Sequence, residues 1–120
     1  MSHVVKALER RGCRELVVPR SRDYDLRREA DVARVCEWSR PDVVIHMAAI
    51  VGGIGANQAS PHRFFYDNLM MESLLLEHAR RAQVSKFVAV GTNCAYPKMI
   101  PIPFREEDVW SGYPDETNAP

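Results

Sequence analysis

Four side chains of different chemistry fall within five positions of one another: the Thr92 hydroxyl, the Asn93 carboxamide, the Cys94 thiol and the Tyr96 phenol. A cysteine in a core is a small hydrophobe, whereas one in a loop beside polar groups can ionise and react, and Cys94 admits either reading. A second cluster pairs the small residues Ala48 and Ala49 with Gly52, Gly53 and Gly55 directly after an apolar run. Glycines there either let a flat ligand or another backbone approach closely or simply serve turns, and the spacing is not GxGxxG. A third feature is basic: the first 22 residues hold six Lys and Arg against two Glu, and Arg20 and Arg22 close that stretch. Such a patch either holds an anion such as a 2′-phosphate or is a solvated charged loop. Asn68 interrupts an otherwise apolar stretch, where its carboxamide calls for a polar partner and a structural hydrogen bond is the expected role.

The elements that must position these groups follow from periodicity. Val4, Val5, Ala7 and Leu8 recur at helical spacing between Ser2, a candidate N-cap, and Gly12, a C-terminal stop. Leu16, Val17 and Val18 read as a short buried strand, followed by a polar loop over 20–26. Val32, Val35, Cys36 and Trp38 place a helix over 29–40, ended by Pro41. The run 42–49 has the β-branched, wholly apolar character of a parallel strand covered on both faces. A wide apolar stripe that includes Phe64, Leu69, Leu74 and Leu75 predicts a long helix over 61–83, and 86–90 supplies a third strand ending at Gly91. The tail from Thr92 carries five of the eight prolines, with one helical turn expected near 106–110.

Helix, strand, helix, strand, long helix, strand is an α/β alternation, and right-handed crossovers make it a doubly wound parallel sheet. Ligands in such sheets bind outside the carboxyl ends of the strands, which selects 19–26, 48–55 and 91–98. Three buried-type strands lack neighbours on both edges, so the sequence reads as part of a larger domain, with a complete small α/β module of permuted start as the alternative. Composition narrows the rest. The 120 residues are 46% hydrophobic and 27% charged, ordinary for one globular core, and 16 basic against 16 acidic groups argue against an extended nucleic-acid footprint. No apolar run approaches the length of a membrane span, and Lys6, Glu9, Arg10 and Arg11 interrupt any secretory h-region. Cys13, Cys36 and Cys94 form no CxxC pair, and the four histidines show no ligand spacing, so the expectation is a cytoplasmic protein in a reducing compartment with no metal.

Several phrases together resemble the extended short-chain dehydrogenase/reductase superfamily and its NAD-dependent epimerase/dehydratase family. They are Pro41-Asp42-Val43-Val44-Ile45-His46-Met47-Ala48-Ala49, Val51-Gly52-Gly53-Ile54 with Asn57, Phe65-Tyr66-Asp67-Asn68, Gly91-Thr92-Asn93-Cys94-Ala95-Tyr96-Pro97-Lys98 and the tail Thr117-Asn118-Ala119-Pro120. The alanine pair is widely shared among nucleotide-sugar epimerases. VGGI followed by Cys-x-Tyr-Pro-Lys is particular to the branch that epimerises and then reduces GDP-4-keto-6-deoxy-D-mannose to GDP-L-fucose.

The resemblance implies a partial Rossmann-type fold over 1–120, with the family's first strand and glycine-rich turn missing before Ser2 and the Tyr of its YxxxK pair due after Pro120. On its own the chain is then expected to be inactive. The resemblance further implies NADP (NADPH) as cofactor, with Arg20, Ser21, Arg22, Asp25 and Leu26 at its adenosine end, Ala48 and Ala49 at its middle, and Val90, Gly91, Thr92 and Asn93 near the nicotinamide. Thr92 takes the place of the family's catalytic Ser, and Cys94 matches its epimerisation cysteine. Asn93 stands where a small hydroxyl residue is common. A nucleotide-sugar substrate and a homodimer built partly from the helix over 61–83 are implied as well. The alternatives are another nucleotide-sugar epimerase or dehydratase of the same superfamily, or a non-catalytic truncated binding module.

Overall fold

The structure is a computed structural model that describes residues 3–116. Ser2, expected as a cap, and the tail 117–120 lie outside the described residues. Helix α1, His3–Arg10, ends at Gly12, whose φ of 87° is cheap only for glycine. That turn lets Cys13 N–H donate to the Leu8 carbonyl at 3.1 Å, closing the helix.

Residues 13–20 form no regular element, so the strand expected at Leu16, Val17 and Val18 is absent, and Val17 and Val18 are exposed. A strand exists only through a partner that takes its N–H and C=O groups, and neither of the described strands pairs with this segment.

Helix α2, Glu29–Ser39, carries Glu29 and Asp31 in its first turn, where negative charge opposes the positive end of the helix. It stops at Arg40, which turns left-handed at a φ of 41° while its N–H donates to the Cys36 carbonyl at 2.9 Å, and Pro41 disfavours continuing the helix. Strands β1, Val43–His46, and β2, Lys86–Ala89, pair in parallel with Val43 opposite Lys86 and His46 opposite Ala89. The crossover between them holds the short α3, Ile54–Ala59, and the long α4, Pro61–Arg81, which starts on a proline at its first turn.

The core lies between α2, α4 and one face of the sheet. Val32, Val35 and Cys36 of α2 meet Leu75 of α4, with Val44, Phe87, Tyr24 and Leu26 packed around them. Because side chains alternate along a strand, Val44 and His46 turn inward while Val43 and Ile45 face out and are exposed. A parallel sheet is normally covered on both faces, and among the described residues only one face of this sheet is covered.

Candidate active site

The carboxyl ends of β1 and β2 open onto a cleft of about 120 Å³ against α4, lined by Met47, Ala48, Ala49, Val90, Asn68 and Glu72. His46 is its buried floor, its ring 6.3 Å from that of Phe87. The wall after β1 is not part of the ladder and is held by Asn68 instead. The Asn68 carboxamide oxygen accepts from Ile50 N–H at 2.8 Å, and its NH2 donates to the Ile50 carbonyl at 2.9 Å. One side chain thus supplies both halves of a strand pairing, the structural role expected for it.

The remaining wall suits a flat ligand. Ala48 and Ala49 present little beyond backbone, and a Cβ placed on Gly91 would meet nothing within 4 Å. The glycines after β1 divide differently. A Cβ on Gly52 would lie 2.9 Å from Ala56 Cβ and 3.0 Å from Phe64 Cζ, so Gly52 lets α3 and α4 pack closely, whereas Gly53 and Gly55 face open space.

The chain leaving β2 carries the chemical groups. Thr92 has extended backbone, and its Oγ1 accepts from Cys94 N–H at 3.2 Å, which caps the 3-10 turn Asn93–Ala95. The Asn93 carboxamide oxygen lies 3.4 Å from Thr92 Oγ1 and 3.8 Å from Cys94 Sγ, so hydroxyl and thiol converge on one acceptor. Cys94 is exposed and forms no disulfide. Two straps brace this loop. Tyr96 stacks on Phe104 at 5.0 Å, and Lys98 Nζ lies 3.2 Å from both Asp115 and Glu116 while its N–H donates to the Tyr113 carbonyl. Bonding to Glu116 and then Asp115 raises the Lys98 pKa, keeping the ammonium charged.

The basic loop sits apart from the cleft lining. Arg20, Ser21 and Arg22 are exposed, the Arg20 carbonyl is bonded within its own turn, and Arg22 pairs with Asp23 at 3.4 Å. Leu26 is half-buried against the core. Asp25 is gripped by Arg27, whose Nε and Nη2 each lie 2.9 Å from its two oxygens, and those bonds hold its carboxyl down at about 2. The structure therefore gathers Ala48, Ala49 and Val90 at one cleft, places Gly91, Thr92, Asn93 and Cys94 along its continuation, and leaves Arg20, Ser21, Arg22, Asp25 and Leu26 outside its lining. Sequence reasoning gave no role to His46, Glu72 and Asp67. Glu72 follows Asn68 by one helical turn, and that four-residue spacing was the available signal.

Among the described residues no His, Cys, Asp and Glu cluster fits a metal, and no helix is long and apolar enough to cross a membrane. A parallel strand pair joined by a long helix, with an open cleft at the strand ends, defines an α/β protein with a partial Rossmann-type fold. The sequence matches the NAD dependent epimerase/dehydratase family over residues 2–120, and the chain belongs to that family. It is 37% identical over 117 residues to GDP-L-fucose synthase of Sinorhizobium fredii (strain NBRC 101917 / NGR234), covering 98% of this chain and 37% of that protein. It superposes on the solved structure of DdhaC with a TM-score of 0.89 at 33% identity, over 96% of this chain and 33% of the other. MlghC, a GDP-mannoheptose C4 reductase from Campylobacter jejuni solved with NADP bound, aligns with a TM-score of 0.86 at 28% identity over 97% of this chain and 37% of its own. The chain thus spans 37% of the length of the S. fredii relative.

Proposed function

We propose that residues 1–120 are an incomplete NADP-binding Rossmann domain of a longer epimerase/reductase that converts GDP-4-keto-6-deoxy-D-mannose to GDP-L-fucose. One juxtaposition carries the reading: Val90 lines the strand-end cleft, and the exposed Thr92 hydroxyl and Cys94 thiol follow it within four residues on a braced turn. The similarity to the S. fredii GDP-L-fucose synthase over nearly the whole chain supports it.

Ala48, Ala49, Val90 and Gly91 would lie along the dinucleotide, and the Arg20, Ser21, Arg22, Asp25 and Leu26 loop would meet its adenosine end, with Arg20 and Arg22 as cations for a 2′-phosphate. When bound, NADPH supplies the hydride that reduces C4. The chain's own residues do the rest. The Cys94 thiolate takes a proton from C3 or C5, which the neighbouring C4 carbonyl acidifies: the C–H bond breaks, an S–H bond forms, and the electron pair passes to the carbonyl oxygen. Thr92 turns its hydroxyl from Asn93 to that oxygen and donates a hydrogen bond as charge develops. Reprotonation from the opposite face inverts the centre.

Exposed Phe65, Leu69 and Leu76 form an apolar stripe on the outer face of α4 that suits a homodimer, and three free cysteines accord with a cytoplasmic setting. The test is solvent-deuterium exchange in the full-length protein. Cys94→Ser should abolish exchange at C3 and C5 while NADPH binding stays intact, and undiminished exchange would remove Cys94 from the reaction. The similarity to the C4 reductase MlghC favours a second reading, reduction without epimerisation. Product formed in deuterated water with no label at C3 or C5 would select it.

A further inference from the structure

Helix α4 grips a second loop besides the one held by Asn68. Asp67, the residue before it, is buried at 8% exposure, and its Oδ2 receives Nη1 of Arg27 at 3.2 Å across 40 residues of sequence. The same guanidinium embraces Asp25 with two bonds of 2.9 Å, and Arg27 N–H adds a third to Asp25 Oδ1 at 3.1 Å. Asp25 N–H is in turn fixed by the Asp31 carboxylate on α2 at 2.9 Å. One arginine fork therefore spans two carboxylates, one on the loop that leads into α2 and one on α4. Arg63 and Arg28 lie 3.7 Å from Asp67 and Asp25, beyond hydrogen-bond reach, and balance the charge without closing the bridge.

The consequence is geometric. Asp67 and Asn68 are neighbours on α4, and the first anchors the 25–27 loop while the second anchors the chain after β1 at Ile50. A planar guanidinium holding two carboxylates allows few orientations, so the bridge sets where the Asp25 and Leu26 backbone stands relative to the cleft wall. We propose that Arg27 and Asp67 are positioning residues for the adenosine half of the cofactor, linking its loop to the helix that shapes the middle of the cleft. This rests on the reading that the 20–26 loop meets that half of NADPH.

The experiment compares wild-type full-length protein with Arg27→Met, Asp67→Asn and the double variant. NADPH affinity is measured by fluorescence titration, and kcat/KM is measured with NADPH and with reduced nicotinamide mononucleotide, which lacks the adenosine half. Each single variant should weaken NADPH binding about tenfold, the size expected when a charge-assisted contact that orders a binding loop is lost. The double variant should be no weaker than Arg27→Met alone, since removing the guanidinium already breaks its bond to Asp67. Activity with the mononucleotide, and kcat at saturating NADPH, should stay within about twofold of wild type. A merely structural bridge would depress both substrates together, and that result overturns the proposal, as does unchanged NADPH affinity in both singles. Wild-type protein that binds no NADPH overturns instead the cofactor reading beneath it.

Discussion

Replacing Asn68 tests whether one carboxamide does the work of a missing strand. In Asn68→Ala, the Ile50 N–H and C=O lose bonds of 2.8 and 2.9 Å in a partly buried setting. At about 1 kcal/mol net for each bond, the variant should unfold about 2 kcal/mol more easily. Asn68→Asp is the sharper variant, because it keeps the acceptor for Ile50 N–H and turns the donor into an oxygen facing the Ile50 carbonyl. Ionised, the new carboxylate should cost at least as much as the alanine. Protonated, it donates again and restores the pairing. Its folded-state pKa is therefore raised above the unfolded value near 3.9, so the restored stability is full below about pH 4 and lost as pH rises through the folded pKa. Urea unfolding of the full-length protein at pH 4 and pH 8 reads both effects, and NADPH titration reads the loosened wall as weaker binding. If Asn68→Ala lies within 0.5 kcal/mol of wild type, a difference typical of ordinary surface changes (about 0.5 kcal/mol), the clip carries no load. Equal destabilisation by Asn68→Asp at both pH values would refute the donor assignment.

Two further outcomes follow from local geometry. Arg27 lowers the Asp25 carboxyl to about 2, so its contribution is present above the unfolded pKa near 3.9 and lost as pH falls toward 2. Asp25→Asn should cost about 1–2 kcal/mol at pH 7 and flatten this part of the acid limb, and an unaltered acid profile by circular dichroism would contradict the assignment. Gly52→Ala drives a Cβ to 2.9 Å from Ala56 Cβ, so it should destabilise by about 1–3 kcal/mol, whereas Gly53→Ala, facing open space, should change stability by less than about 0.5 kcal/mol. Thermal unfolding of the two variants side by side decides it.

Periodicity located α2, α4 and both strands: an apolar stripe that includes Phe64, Leu69, Leu74 and Leu75 marks α4, and β1 is a β-branched apolar run. Which face of α4 is buried was decided by packing, which turns Asp67, Met71, Leu75 and Ala79 inward and leaves Leu69 exposed. The loops after the strands could be singled out in advance because topology sends ligands to strand ends, and the structure puts Ala48 and Ala49 of the first loop in the cleft lining. Leu16, Val17 and Val18 were misread because an apolar run becomes a strand only when a partner takes its hydrogen bonds, a condition no local window contains. Short α3 also escaped, its six residues being too few to show a helical stripe.

By itself the sequence determined an α/β chain, the places of α2, α4, β1 and β2, and the family to which the chain belongs. Tertiary structure decided which segments meet. It separated Gly52, needed for packing, from Gly53 and Gly55, and it turned Asn68 toward Ile50. It brought Arg27 to Asp67 across 40 residues and left the Arg20 to Leu26 loop outside the cleft lining. Hydrogen bonds between distant residues depend on direction and distance in three dimensions, and residue type and spacing along the chain specify neither.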